Sequence, residues 1–196
     1  MSVLPRAAII GIGICLPTRI LSNQNLEQMV ETNDEWIVKR TGIRERFLAA
    51  DDEFASDLAI KAVENMIAEG GSVEGVDLVI ATCLAPDHIT PSVAALVSGR
   101  FGLNAAGTWD LHAACSGFVY ALTTAASLLA AGQAKKILLI SAETLSKVTD
   151  YTDRGTCILF GDAAVAVTIE RGEKQKPLFS ISGTDGDMAD KVYASL

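Results

Sequence analysis

One cysteine, Cys115, stands among small residues in the stretch "DLHAACSGFVYAL", which begins at residue 110. An apolar run follows it at once, so the sequence predicts that Cys115 lies at the turn between a strand and a helix. A thiol at the first turn of a helix faces unpaired backbone N–H groups and the positive end of the helix dipole, and both favour the thiolate. The same N–H groups could stabilise the oxyanion formed when the thiolate attacks a thioester carbonyl. Cys115 is therefore a candidate nucleophile, although a small apolar residue in a tight turn gives the same pattern.

A general base for this thiol is not evident from the spacing of the two histidines. His112 lies three residues before Cys115 on the predicted strand, and His88 lies in the loop "PDHITPS". Neither position requires contact with the thiol, and a solvated or hydrogen-bonded structural role is favoured for each. The residues supply a nucleophile without an obvious partner.

A second candidate group lies in "TNDEWIVKRTGIRER", residues 32–46, which concentrates basic side chains in an otherwise acidic chain. Trp36 precedes one of them, Arg40, by one helical turn. An aromatic ring beside guanidinium groups can stack on a purine and neutralise phosphates. A solvated basic face over a buried tryptophan gives the same pattern, and the spacing alone favours that alternative. The basic residues of the segment are Lys39, Arg40, Arg44 and Arg46.

The glycine-containing stretch "GIGICL" at residue 11 does not fit a dinucleotide-binding turn. Such a turn needs a third glycine between a strand and a helix, and here that glycine is missing. Pro17 also stands where the helix should begin. The sequence instead predicts that these glycines allow tight packing of a strand.

The elements that must position these residues alternate between strands and helices. Strands are predicted over residues 7–14, 76–82, 108–113, 135–143 and 163–171. Helices are predicted over residues 23–32, 33–40, 55–68, 91–102 and 116–132. Near-continuous apolar strands separated by helices are typical of an α/β fold whose mainly parallel sheet is covered by helices on both faces. In such sheets chemistry gathers where the strands end at their carboxyl side, and Cys115 lies at one of these ends.

Composition limits the classes of function. A chain of 196 residues with 49% hydrophobic and 20% charged residues is expected to form one well-packed globular unit. A net charge of −8 argues against nucleic acid as a partner. The four cysteines are scattered without the spacing of a metal site, so no metal is expected and the thiols are taken as reduced, in a cytoplasmic protein. No apolar stretch is long enough to predict a membrane span.

Three motifs, "DEWIVKRTGIRER", "AACSGFVYAL" and "DRGTCILFGDAA", resemble in this order the β-ketoacyl-acyl carrier protein synthase III family of thiolase-like condensing enzymes. The resemblance implies that Cys115 takes an acyl group from acyl-CoA as a thioester. The resemblance implies that Cys115 then passes this group to the carbanion formed by decarboxylation of malonyl-acyl carrier protein, which starts fatty-acid synthesis. It also implies that Trp36 and Arg154 sandwich the coenzyme A adenine, while Thr32 and Arg40 contact the nucleotide end.

The resemblance further implies a homodimer that needs no permanent cofactor, since acyl-CoA is a substrate. The family's chain consists of two similar halves, and its catalytic histidine and asparagine come from the second. Residues 1–196 are expected to be the amino-terminal thiolase-like half without the carboxy-terminal half, to expose the apolar surface that normally packs on its twin, and to be unable to condense alone. Two alternatives stay open, which are acyl transfer to an alcohol or amine and a non-catalytic interaction fragment.

Overall fold

The computed structural model describes residues 2–3, 7–172 and 179–188. The amino-terminal half predicted over residues 1–196 therefore lies partly outside the described residues. The strands are β1 (Ser2–Val3), β2 (Ala7–Cys15), β3 (Arg19–Ser22), β4 (Glu45–Leu48), β5 (Leu78–Thr82), β6 (Gly107–Asp110), β7 (Lys136–Thr144), β8 (Asp162–Arg171) and β9 (Phe179–Ser180). The helices are α1 (Asn23–Leu26), α2 (Asp34–Thr41), α3 (Ala55–Ala68), α4 (Val93–Arg100), α5 (Gly117–Ala130) and α6 (Arg154–Cys157).

A five-stranded sheet in the order β2-β8-β7-β5-β6 forms the centre of the fold. Strands β5, β6 and β7 are parallel, and β8 runs antiparallel to both β7 and β2. Four of the five strands therefore point the same way, which confirms the predicted mainly parallel sheet. Two small antiparallel sheets, β3 with β4 and β1 with β9, accompany it.

Helices cover both faces of this sheet, as predicted. In β7, Leu138 and Ile140 pack into the cluster that contains residues of α3 and α4, whereas Ile137 and Leu139 pack into the cluster of α5. All four side chains are fully buried, and each contributes roughly 1.5–3 kcal/mol relative to an exposed position. The alternation along β7 fixes which helices lie on which face. None of the helices in the described ranges is long and apolar enough to cross a bilayer.

The long elements lie where the sequence predicts them, and several of the short ones do not. Helix α3 has the predicted bounds, and α2 begins after Asn33, whose side chain accepts a hydrogen bond from the Trp36 N–H at 2.8 Å. The helix predicted over 23–32 ends at Leu26, because the following turn tightens to the i to i+3 bonds from the N–H groups of residues 28 and 29. Strands β3 and β4 and helix α6 have four residues each and were not predicted.

Gly13 of "GIGICL" allows β2 to pack directly on the backbone of α3, and Gly11 lies against side chains of β8 and α3, so both glycines allow tight packing of the strand, as predicted. A Cβ atom on Gly13 would lie 2.2 Å from the Ala62 carbonyl oxygen and 2.3 Å from the Met66 nitrogen. A Cβ atom on Gly11 would lie 2.7 Å from the hydroxyl of Thr168. Because β2 leads into β3 and not into a helix, this segment does not form a dinucleotide-binding turn.

Replacement of Gly13 by alanine should therefore lower the free energy of unfolding by roughly 3 kcal/mol, since the new methyl group meets backbone atoms that cannot move independently. Urea denaturation of the two proteins measures this difference. Gly99→Ala in α4 is the matched control, because a Cβ atom there meets nothing within 4 Å. The control should be neutral or stabilising by up to about 1 kcal/mol. Equal midpoints for Gly13→Ala and the wild type would contradict the packing argument.

Candidate functional site

The chain leaves the sheet just before Cys115, at an end of β6 that is fixed by hydrogen bonds. The Asp110 carboxylate accepts bonds from the N–H groups of Val93 and Ala94, at 2.8 and 2.9 Å, and so holds the start of α4. The Leu111 N–H donates to the Ala81 carbonyl at 2.8 Å, which continues the pairing of β6 with β5. Cys115 thus follows the carboxyl end of a parallel strand, as predicted.

Cys115 lies in a 3-10 turn, Ala114–Ser116, that begins with an unusual backbone conformation. Ala114 has a φ of 44°, a left-handed value that costs a non-glycine residue about 1–2 kcal/mol. The Ser116 N–H donates to the Ala113 carbonyl at 3.0 Å and closes the turn. The thiol residue is exposed, so the strained turn presents Cys115 to solvent.

The start of α5 packs directly on the end of β5. Gly117 is buried, and a Cβ atom there would lie 3.1 Å from the Thr82 Cβ atom. A glycine at this position therefore lets the helix begin against the strand. No side chain of the described residues caps α5, and the Gly117 N–H donates to the Ala114 carbonyl of the preceding turn.

Neither histidine is joined to this thiol by a hydrogen bond in the part of the chain that the structure describes. His88 and His112 are both exposed. His112 lies close enough to Glu143 for its charge to act on that carboxyl group.

Glu143 is a half-buried carboxylate near the site that the motif analysis missed. Both of its oxygens accept from the Leu84 N–H, at 3.0 and 2.9 Å, and so hold the loop that follows β5. Burial raises the pKa of Glu143, while the backbone donors of Leu84 and Ala85 and the charge of His112 act in the opposite direction. The signal in the sequence is a single carboxylate inside the apolar strand "KILLISAET".

Trp36, Arg40 and Arg154 come together on one surface. The Arg40 Cζ atom lies 4.6 Å from the centroid of the Trp36 ring, and the Arg154 Cζ atom lies 4.9 Å from it. An Arg154 Nη1 donor also reaches the Glu31 carbonyl at 3.1 Å. Two guanidinium groups on one indole ring form a basic aromatic surface that suits a purine nucleotide.

Thr32 lies just before the N-cap of α2, and its hydroxyl is buried without a hydrogen-bond partner among the described residues. Of the four residues expected at the nucleotide end, Arg40 and Arg154 thus both lie against Trp36, and Thr32 lies on the segment that leads into α2. No hydrogen bond within the described ranges joins Cys115 to this group. Cys115 and the group around Trp36 therefore lie on separate elements.

Arg46 does not belong to the exposed basic face on which the sequence placed it. Its side chain is buried, with 3% of the residue exposed, because β4 turns positions 46 and 48 inward. The exposed basic residues of this segment are Lys39, Arg40 and Arg44. The error follows from the missed strand, because alternate residues of a strand face opposite sides and positions 46 and 48 therefore face inward.

The four cysteines differ strongly in exposure. Cys115 is exposed, Cys15 is half-buried, and Cys83 and Cys157 are buried. Burial raises the pKa of Cys15, Cys83 and Cys157, so these three thiols are held in the protonated form. Over the described residues, no cluster of histidine, cysteine and carboxylate side chains could hold a metal ion.

Iodoacetamide at pH 8 should consequently alkylate Cys115 first, at least about tenfold faster than any other cysteine, because the thiolate is the reacting form and only this residue is exposed. Peptide mapping by mass spectrometry at short times measures the order of labelling. Cys115→Ala should remove the fast phase, and the matched variant Cys15→Ala should retain it. Fast labelling at Cys83 or Cys157 would contradict the burial described above.

The chain is similar to proteins of one family over nearly its whole length. The family profile described as 3-Oxoacyl-[acyl-carrier-protein (ACP)] synthase III matches residues 109–186. A Beta-ketoacyl-[acyl-carrier-protein] synthase III 2 of Halalkalibacterium halodurans is 52% identical over 192 residues, covering 97% of this chain and 58% of the relative. A protein of the same description from Bacillus anthracis is 48% identical over 191 residues, covering 96% of this chain and 58% of the relative.

Solved structures show the same similarity in three dimensions. The crystal structure of a synthase III from Thermus thermophilus superimposes with a TM-score of 0.92 at 44% identity, covering 96% of this chain and 59% of that one. The structure from Pseudomonas aeruginosa gives a TM-score of 0.86 at 39% identity, covering 94% of this chain and 59% of that one. The chain therefore has the thiolase-like fold of these proteins, and it spans 58% of the length of the first curated relatives.

Proposed function

We propose that the chain belongs to the β-ketoacyl-acyl carrier protein synthase III family and that Cys115 accepts an acyl group from acyl-CoA. The observation that carries the proposal is an exposed cysteine at the start of α5 in a chain that also presents the surface formed by Trp36, Arg40 and Arg154. The first feature suits thioester chemistry, and the second suits the nucleotide end of coenzyme A. One chain therefore carries both requirements of an acyl-CoA-dependent transferase.

In the proposed step the Cys115 thiolate attacks the carbonyl carbon of the acyl thioester. A new bond forms between the Cys115 Sγ atom and this carbon, and the bond between the carbon and the coenzyme A sulfur breaks. The coenzyme A thiolate leaves and takes up a proton from solvent. We propose that backbone N–H groups beside Cys115, at the start of α5, donate to the carbonyl oxygen as it gains negative charge.

The second proposed step is decarboxylative condensation with malonyl-acyl carrier protein, which starts fatty-acid synthesis. Loss of carbon dioxide gives a carbanion that attacks the acyl group on Cys115, and the thiolate is released as the β-ketoacyl product forms. Negative charge also develops on the malonyl thioester carbonyl and needs hydrogen-bond donors there. By the family resemblance these donors are a histidine and an asparagine of a second half, so residues 1–196 are proposed to acylate without condensing.

The uncovered face of β2 supports this assignment as an amino-terminal thiolase-like half. Ile10, Ile12 and Ile14 are 47%, 59% and 58% exposed. They lie on the side of the sheet that carries α5, whereas Gly11 and Gly13 face α3 on the other side. A row of exposed isoleucines has the character expected for a surface that packs on a twin half. We also propose that this protein is a cytoplasmic homodimer that needs no permanent cofactor.

Incubation of the purified chain with acetyl-CoA should increase its intact mass by one acetyl group, because the thiol displaces coenzyme A. Cys115→Ala should show no increase. Ser116→Ala is the matched control, since it removes the neighbouring side chain and leaves the thiol, and it should acylate like the wild type. A wild-type mass that does not change at millimolar acetyl-CoA would refute the transfer step for this chain and favour a non-catalytic role.

The nucleotide site makes a separate prediction. Trp36→Ala should raise the Kd for coenzyme A about tenfold, because stacking of a base on an aromatic ring contributes roughly 1–3 kcal/mol. Titration calorimetry measures this Kd. Phe54→Ala is the matched control, since the Lys147 Nζ atom lies 4.7 Å from the Phe54 ring centroid and the pair is a cation–aromatic contact outside the proposed site. If both variants bind coenzyme A like the wild type, adenine does not stack on Trp36.

A further inference from the structure

Arg46 is a buried guanidinium group that no carboxylate contacts in the described part of the chain. Its Nε atom donates to the Ile158 carbonyl at 3.1 Å, and its Nη2 atom donates to the same oxygen. Its Nη1 atom donates to the Asn23 side-chain oxygen at 2.6 Å. A buried cation satisfied only by neutral oxygens is costly, so its location calls for a physical reason.

On one side the bonds continue from Arg46 to α2. Asn23 is fully buried, and its Nδ2 atom donates to the Asp34 Oδ1 atom at 2.7 Å and to the Ile43 carbonyl at 2.8 Å. Asp34 begins α2, and Ile43 lies just after its end. Asn23 therefore holds both ends of the helix that carries Trp36.

On the other side the bonds reach α6. Ile158 is the C-cap of this four-residue helix, and Arg154 is the first residue of the helix. The double donation from Arg46 to the Ile158 carbonyl fixes the end of α6. A continuous series of buried and partly buried hydrogen bonds thus joins the helix of Trp36 to the helix of Arg154.

Apolar packing alone gives little support to these elements. Helices of four and eight residues are too short to be stable by themselves. Among the described residues the apolar cluster between them is small, with four partly buried side chains packed against four buried members, Leu26, Ile37, Cys157 and Ile158. A fully satisfied polar network can specify one arrangement where apolar contacts permit several.

We propose that Arg46 and Asn23 are positioning residues for the purine site, which they form by holding α2 and α6 at the separation that brings Arg154 over the Trp36 ring. This inference rests on the proposed function, because it takes the purine to be the adenine of coenzyme A. Arg46 lies behind the site and does not touch the ligand. Its role is to fix the two walls through the Asn23 amide and the Ile158 carbonyl.

Arg46→Lys tests this role with the charge retained. A lysine ammonium is a point donor and cannot bridge Asn23 and Ile158 with the planar fork of a guanidinium. Arg46→Met is a second variant that removes the charge and keeps an unbranched side chain for packing. Arg19→Met is the matched control, since Arg19 is an exposed arginine on the neighbouring strand β3.

Two readouts separate positioning from general stability. The first is the Kd for coenzyme A by titration calorimetry, and the second is the rate of Cys115 acetylation by S-acetyl-N-acetylcysteamine, a thioester that lacks the nucleotide. Both Arg46 variants should raise the Kd at least about tenfold and leave the second rate within about twofold of the wild type. Arg19→Met should change neither readout.

The outcomes distinguish this inference from the function on which it rests. Wild-type chain that binds no coenzyme A overturns the proposed nucleotide site, and the inference falls with it. Wild-type binding together with unchanged affinity in both Arg46 variants overturns the inference alone. An equal loss of both readouts in Arg46→Lys also overturns it, because the residue would then serve only the stability of the whole fold.

Discussion

The burial of strands β5 and β7 on both faces is the constraint from which the rest of the structure follows. All five residues of β5 are buried, and β7 alternates between two apolar clusters. Side chains that must contact solvent or a ligand cannot lie along such strands, so they lie in the loops at the carboxyl ends of the strands. The same constraint requires helices on both faces, and small residues mark the closest contacts. Because Gly13 has no side chain, α3 packs closely on β2, and Gly117 likewise lets α5 pack closely on β5.

Polar contacts take over where the elements become too short for apolar packing to fix them. Asp162 is buried and accepts from the N–H groups of Ala49 and Ser146, at 2.7 and 2.8 Å, so it ties the segments after β4 and β7 to the start of β8. Arg46 does the same between α1 and α6. The long elements are thus held by apolar area, and the short ones by buried groups whose hydrogen bonds are directional.

This division also explains how much of the molecule could be predicted from its sequence. Helix α3 shows helical periodicity over 14 residues and was placed correctly, as were the long strands β7 and β8. Strands β3 and β4 have four residues each, which is too few for a two-residue alternation to be recognised. Because β4 was not predicted, Arg46 was assigned to an exposed basic face. The turn at Cys115 was predicted because its signals are local. The partnership of Trp36 with Arg154, which lie far apart in the chain, came only from the family resemblance.

Cys115 and the surface formed by Trp36, Arg40 and Arg154 consequently differ in how far a bound ligand can displace their side chains. Cys115 is held by a turn that is anchored to β6 and α5, so its position is set by the sheet. Arg154 is an exposed side chain whose guanidinium lies 4.9 Å from the Trp36 ring centroid. A purine stacked between them needs about 7 Å, since each of its faces requires a contact distance of roughly 3.5 Å. If adenine binds there, the Arg154 side chain must swing outward and exchange its contact with the indole for one with the purine. The network of Arg46 and Asn23 holds the backbone of both walls while this side chain moves.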